Sequence, residues 1–489
     1  MQAGFQASNC HEKQTSDARL RMVGTGQFLA ICLAGLLSMA SLPSQAQEDK
    51  TGPWRVNQAL DTPGWLSVSG EQRTRYSHLE NQFRPGLGED DEAISLRTLL
   101  RLDFRLQPGV TLVTELQDSR AFLTDRNSGA STIVVNTGEL LQAHVALNRK
   151  DVIREGDELD LKLGRFTMDL GGRRLIARNR YRNTIQNYSG ISVDWHGANQ
   201  SRLMTFAMLP LRVEPAERED ILDNNFEFDE EDSDLILWGA FYEHAKTVFG
   251  ARLELYFFGL NESDDRGQPT RNRELYTPGI RFIKSPRVGQ WDFDIENTLQ
   301  FGERRASSAD TDTEDLDVFA HFSHIALGYT FDSDWNWRLS AELDYASGEE
   351  SASDGDANRF DSLFGPRRSD FGPTGIYGIL GRENIISSGL RLGFSPNSRL
   401  DAYISWRANQ LDEKTDTFAR SNTRDPLGQS GNFAGHQIEF RTRYWLIPQQ
   451  IRYEIGAAVF LEGRFLRNAP NATDTGNPVF VYTDISFSF

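Results

Sequence analysis

Cysteine is almost missing from this chain of 489 residues, which has two, Cys10 and Cys32. Lysine is scarce as well, at 7 against 45 arginines. Long hydrophobic runs are the third shortage: the best, Phe28 to Leu37, is well short of the about 20 apolar residues that a spanning helix needs. The eight histidines are scattered, and His321 and His324, three apart, fall on opposite faces of a strand. Each shortage excludes something. A helical membrane protein is excluded, and thiol chemistry is confined to the first 32 residues. No Ser/His/acid grouping supports an enzyme, and no acidic run has the spacing of a calcium loop. The sequence therefore predicts no catalytic residue, no cofactor and no metal ligand.

The first segment accounts for both cysteines. Arg19 and Arg21 precede the apolar run, and Ser44-Gln45-Ala46 follows it, which is the order of a secretory signal with a small-x-small cleavage site. Ile31 before Cys32 is too large for a typical lipobox, so cleavage after Ala46 is expected rather than lipidation. The expected organisation is a signal peptide over 1–46, a short periplasmic segment over 47–64 and one domain over 65–489. The leader carries three basic and two acidic residues, so the mature chain is one unit more negative than the −18 of the whole.

What fills the domain is alternation. In the last eleven residues Val479, Val481, Ile485, Phe487 and Phe489 share one parity, and Phe480, Tyr482, Asp484, Ser486 and Ser488 the other. Successive side chains on a strand point to opposite faces, so one face suits lipid and the other a wet lumen. Trp291, Phe293, Ile295, Leu299 and Phe301 likewise oppose Asp292, Asp294, Glu296, Thr298 and Gln300. Eighteen strands are predicted, starting near 65, 95, 110, 140, 159, 189, 201, 234, 248, 277, 291, 318, 335, 385, 398, 435, 450 and 479. Tight turns such as Gln107-Pro108-Gly109 and Pro448-Gln449 alternate with long polar segments such as 168–188, 347–384 and 410–434. An even strand count with short links at every second junction predicts an antiparallel transmembrane β-barrel of about eighteen strands in the cell outer membrane, long loops outward.

Parity places Arg73, Arg75, Arg97, Arg101, Arg105, Arg391, Arg407, Arg441, Arg443 and Arg452 inside. Most of these lie on strands that a closed barrel makes neighbours, while Asp292, Asp294, Glu296, Glu342 and Asp344 lie across from them. Guanidinium is permanently charged and grips carboxylates in a planar fork, so such a wall serves either passing anions or structural salt bridges. A denser group, Arg173, Arg174, Arg178, Arg180 and Arg182, lies in one outer segment. It either folds inward to recruit anions or stays solvated beside lipopolysaccharide phosphates.

Several of these stretches carry a resemblance. Glu115 to Ala121, Leu163-Gly164-Arg165-Phe166, Gly172-Arg173-Arg174-Leu175, Arg359 to Gly365 and Asp370-Phe371-Gly372-Pro373 together resemble the alginate export family of outer-membrane barrels. The resemblance implies a monomeric eighteen-stranded barrel, an arginine-lined lumen and passage of an acidic polysaccharide. It implies Arg97, Arg101, Arg165, Arg174, Arg178 and Arg182 as anion contacts. Two features depart from the family pattern: the inferred lumen is mixed in sign, and the periplasmic turns are short. The expected substrate-binding set is thus Arg97, Arg101, Arg105, Arg165, Arg174, Arg178, Arg182, Arg391, Arg407, Arg441 and Arg443. Expected partners are an acidic polysaccharide or other anionic solute, outer-membrane lipid and lipopolysaccharide, with no nucleic acid. The competing reading is an uptake porin for small anionic solutes or sugars.

Overall fold

Alternating side chains leave each strand one apolar and one polar face, and only closure into a barrel satisfies every backbone edge in lipid. The computed structural model, which describes residues 53–264, 269–351 and 354–489, is such a closed sheet. Eighteen long antiparallel strands follow one another in chain order. They are β1 Leu66–Glu80, β2 Asp91–Gln107, β3 Val110–Phe122, β4 Asn136–Lys150, β5 Glu158–Phe166 and β6 Tyr188–His196. Next come β7 Ser201–Arg212, β8 Leu235–His244, β9 Arg252–Glu262, β10 Glu274–Lys284, β11 Trp291–Arg304 and β12 Leu316–Thr330. The last are β13 Arg338–Ala346, β14 Ile385–Asn397, β15 Leu400–Gln410, β16 Phe433–Ile447, β17 Ile451–Glu462 and β18 Val479–Ser488. A two-residue strand, Glu230–Glu231, caps the end of β7 from the following loop. The signal-peptide expectation falls outside the described residues.

Closure is made by β18 against β1, in register from Glu71 opposite Ser488 to Glu80 opposite Val479. Phe489 extends the ladder, with Gly70 and Phe489 exchanging both backbone bonds at 3.0 and 3.1 Å. Every predicted strand start lies within four residues of an observed one. The strand expected near 248 begins at Arg252 instead. Val248–Gly250 forms a 3-10 turn with Phe249 at a φ of 59°, and both apolar side chains there are exposed.

The two faces part as the alternation requires. Leu163, Leu203, Leu299, Phe319, Leu343, Ile404 and Ile485 face outward and are exposed, as lipid contacts are when no lipid is present. On the doubly apolar β7, Met204, Phe206 and Met208 point inward and are buried. They pack with Leu237, Phe241 and Phe258 against Phe166, Met168, Leu170 and Leu175. Part of the barrel interior is therefore an apolar core, because long loops fold into it.

Candidate functional site

Two of those loops meet inside the barrel. The first joins β5 to β6 over 167–187, and the second joins β13 to β14 over 347–384. The first crosses from wall to wall. At one end Arg73 donates to the carbonyls of Arg180 and Tyr181 at 3.0 and 3.1 Å and of Arg182 at 2.8 Å. Arg97 donates to the Arg180 and Arg182 carbonyls at 3.0 and 2.8 Å, and Arg75 to that of Tyr181 at 2.9 Å. At the other end Arg174, buried, meets Glu296 at 2.6 Å and Asp294 at 3.2 Å on β11. The loop is thus a bar between the arginines of β1 and β2 and the carboxylates of β11.

The second loop clasps the bar. Asp370 receives Arg174 at 3.1 Å and also Arg382, and Arg382 donates to the carbonyl of Arg174 at 3.2 Å. Burial alone would raise the Asp370 carboxyl, but Arg174 and Arg382 outweigh it and hold it well below the usual carboxylate range. Backbones touch here as well: Phe364 N donates to Leu175 O at 2.9 Å, and Ile176 pairs with Phe364 in a parallel bridge. Gly365 permits the approach, since a Cβ there would lie 1.6 Å from the Arg174 carbonyl oxygen. Arg368 ties the loop to the wall through Glu439 at 2.5 Å and the Tyr482 hydroxyl at 2.9 Å.

The expected site residues fall into distinct groups. Arg97, Arg174, Arg178 and Arg182 are brought together on or under the bar, Arg178 pairing with Glu115 at 2.6 Å. Arg407 is buried between Glu342 and Asp344, and Arg391 reaches Glu342 at 3.2 Å and the Ser369 carbonyl at 3.3 Å. Arg441 and Arg443 share Asp401, at 3.3 and 2.9 Å. Arg101 pairs with Asp103, and Arg105 lies at the short-turn end, donating to the Gly64 carbonyl. Arg165 is set apart: it shares the outward parity of Leu163 and pairs at the rim with Glu139 at 2.5 Å and Glu231 at 3.2 Å. Across the barrel, Asp292 pairs with Arg338 and Asp294 with Arg281, each at 2.6 Å. Local pairing therefore neutralises most of the acidic wall.

Four guanidinium groups in the bar region have no carboxylate at ion-pair distance among the described residues. Arg73 binds carbonyls and the Asn183 side chain. Arg84 binds the Ile376 carbonyl at 2.8 Å, the Tyr377 carbonyl and Gln82, and Arg367 binds the Gly378 and Leu380 carbonyls. The Arg182 Nε is buried and has no hydrogen-bond partner among the described residues. Burial, then the charge of Arg420, lowers the Arg182 guanidinium to about 10. The sequence reading missed Arg84, Arg367, Arg368 and Arg382. The last three flank or lie within the Arg359–Pro373 stretch that carried the resemblance, and only the inward fold of that loop reveals their partners.

A closed barrel of eighteen antiparallel strands with short turns at one end and inward-folded loops at the other is an outer-membrane channel. The sequence signature described as alginate export matches residues 64–480, and the chain belongs to that family. It is a channel of the outer membrane, not an enzyme. Several solved barrels share the fold. OccK2 (OpdF) of Pseudomonas aeruginosa, solved with glucuronate, is 12% identical over 87% of this chain and 98% of its own, with a TM-score of 0.55. A BenF-like porin from Pseudomonas fluorescens Pf-5 is 9% identical over 87% and 98%, at 0.56. OpdK of Pseudomonas aeruginosa, solved with vanillate, is 11% identical over 86% and 98%, at 0.54. No curated protein sequence matches the chain.

Proposed function

We propose that this channel carries an acidic polysaccharide of the alginate type out across the outer membrane as a monomer, after removal of residues 1–46. The observation that carries the reading is the set of arginines on or against the bar and the second loop with no carboxylate at ion-pair distance among the described residues, Arg73, Arg84, Arg182 and Arg367. Their field is positive where the two loops narrow the lumen, and selectivity is set by the few charges at a constriction rather than by net charge. Membership of the alginate export family supports the cargo class. Carbonyl partners are neutral and leave the guanidinium charge uncompensated, so it stays available to attract the carboxylates of a passing chain.

A specific observation favours a second reading, the uptake of small anionic solutes. Two barrels of this fold were solved with carboxylates, glucuronate and vanillate. Planar-bilayer recordings separate the two. The export reading expects anion preference in wild type and block by polymannuronate at concentrations where a neutral glucan of equal length is inert. Anion preference without polymer block leaves the uptake channel, and cation preference with indifference to acidic polymers overturns both. Arg182→Gln tests the anion preference common to both readings, since its side chain holds no other described residue in place, and it should lower that preference. Arg97 and Arg101, which the resemblance implies as anion contacts, are less clean, because Arg97 also anchors the bar and Arg101 pairs with Asp103.

A further inference from the structure

At the long-loop end, four loops line a half-open cavity of about 610 Å³ that the bar does not use. That volume falls within the about 300–1,000 Å³ usual for small-molecule sites. Its wall carries five arginines, Arg271, Arg273, Arg304, Arg359 and Arg420. Three of them are spent. Arg273 pairs with Glu262 at 2.6 Å and Asp361 at 2.9 Å, Arg359 pairs with Asp416, and Arg420 pairs with Glu383 at 2.7 Å. Arg271 and Arg304 are not, having no carboxylate at ion-pair distance among the described residues.

Arg304 is the telling one. It ends β11 on the inward parity of Glu296, Thr298 and Gln300, and is only 6% exposed. A guanidinium buried to that degree with no carboxylate at ion-pair distance among the described residues is expensive; Asp361 in the same wall offsets the charge only from a distance, and an anion entering the cavity would relieve it further. The cavity also offers hydroxyl and amide groups from Thr270, Ser308, Ser362 and Asn422, which suit a polyhydroxylated ligand. Because Arg304 faces inward rather than to lipid, a lipopolysaccharide phosphate is the poorer match.

We propose that this cavity is a binding station for a uronate residue of the polymer as it leaves the barrel, with Arg304 and Arg271 gripping its carboxylate. The proposal rests on the acidic-polysaccharide reading above. It assigns that cargo a defined outer site, and so makes block asymmetric: acidic oligomers added to the outer side act at lower concentration than from the periplasmic side.

The test uses the full-length protein, with tetramannuronate as probe, neutral mannotetraose as control and inorganic phosphate as the alternative anion. Calorimetry should show wild type binding tetramannuronate but not mannotetraose, and Arg304→Gln should weaken binding about tenfold or more, the loss of a charge-assisted bond pair. Arg271→Gln, on the cavity rim, should weaken it too while leaving the barrel heat-modifiable on gels. That variant keeps the test open if Arg304→Gln misfolds. In bilayers both variants should lose the sidedness of block but keep the small-ion reversal potential. Unchanged binding in a folded Arg304→Gln or Arg271→Gln protein overturns the station even if polymannuronate blocks wild type. Displacement of tetramannuronate by equimolar phosphate overturns the uronate assignment. A wild-type channel that prefers cations and ignores polymannuronate sinks the transport reading, and arginine-dependent calorimetric binding would then still support the anion site.

Discussion

Arg174 on one loop and Asp370 on another lie 3.1 Å apart inside the barrel, and neither belongs to a strand. The same guanidinium touches Asp294 and Glu296 of β11, so a single residue joins two loops and the wall. The lumen is thus shaped by an ion-pair junction rather than by barrel diameter alone.

Removing one partner of a buried ion pair costs about 3–5 kcal/mol, because the survivor is left charged and dry. Arg174→Ala should therefore release the bar while the eighteen strands, held by their own ladders, persist. Single-channel recordings should show larger and noisier conductance, with normal heat-modifiability. Quiet, wild-type conductance would mean that the junction does not restrict the lumen.

Gly365→Ala should act on the same crossing by sterics alone. The added Cβ has no room beside the Arg174 carbonyl, so the loops must part. Limited proteolysis of intact cells should cut loop 347–384 faster in the variant than in wild type. Equal resistance would show that the backbones yield locally without undocking.

Deletion of Phe489 should block assembly. The residue supplies both backbone bonds that extend closure to Gly70, and its ring stacks beside Phe487 at 5.8 Å. Its loss leaves a strand edge unpaired in lipid. The expected result is degraded or aggregated protein in the periplasm; normal yield in the outer membrane would contradict it.

Asp229 should make one rim loop sensitive to pH. Burial, then the neighbouring charge of Glu139, pushes its carboxyl up to about 7, although it accepts from Asn136 at 2.7 Å and from Glu214 N at 3.0 Å. A carboxyl whose folded pKa is raised stabilises the closed loop most below its unfolded value of about 3.9. That contribution falls away as pH rises through about 7. Hydrogen exchange in residues 213–233, corrected for intrinsic rate, should be slower at pH 5.5 than at pH 8.5. Asp229→Asn should abolish the difference, and a pH-independent wild type would refute the assignment.

The strands, their two faces and their chain order were legible in the sequence, because period-two alternation and turn length are local properties. So was the placement of Arg73, Arg75 and Arg97 opposite Asp292, Asp294 and Glu296, which follows from parity once the sheet closes. Arg165 was not: near a strand end, an outward arginine can be satisfied at the rim, as Glu139 and Glu231 satisfy it. Nor were the partners of Arg174, Arg368 and Arg382, which lie 12 to 208 residues away, most of them on other loops or strands. Those contacts depend on loops folding into the lumen, and loop paths are set by long-range packing, not by local pattern. The sequence by itself determined a closed barrel with polar and apolar faces. The tertiary structure alone decided which arginines are spent on carboxylates and which, among the described residues, have no carboxylate at ion-pair distance, because those partners come from loops far apart in the chain.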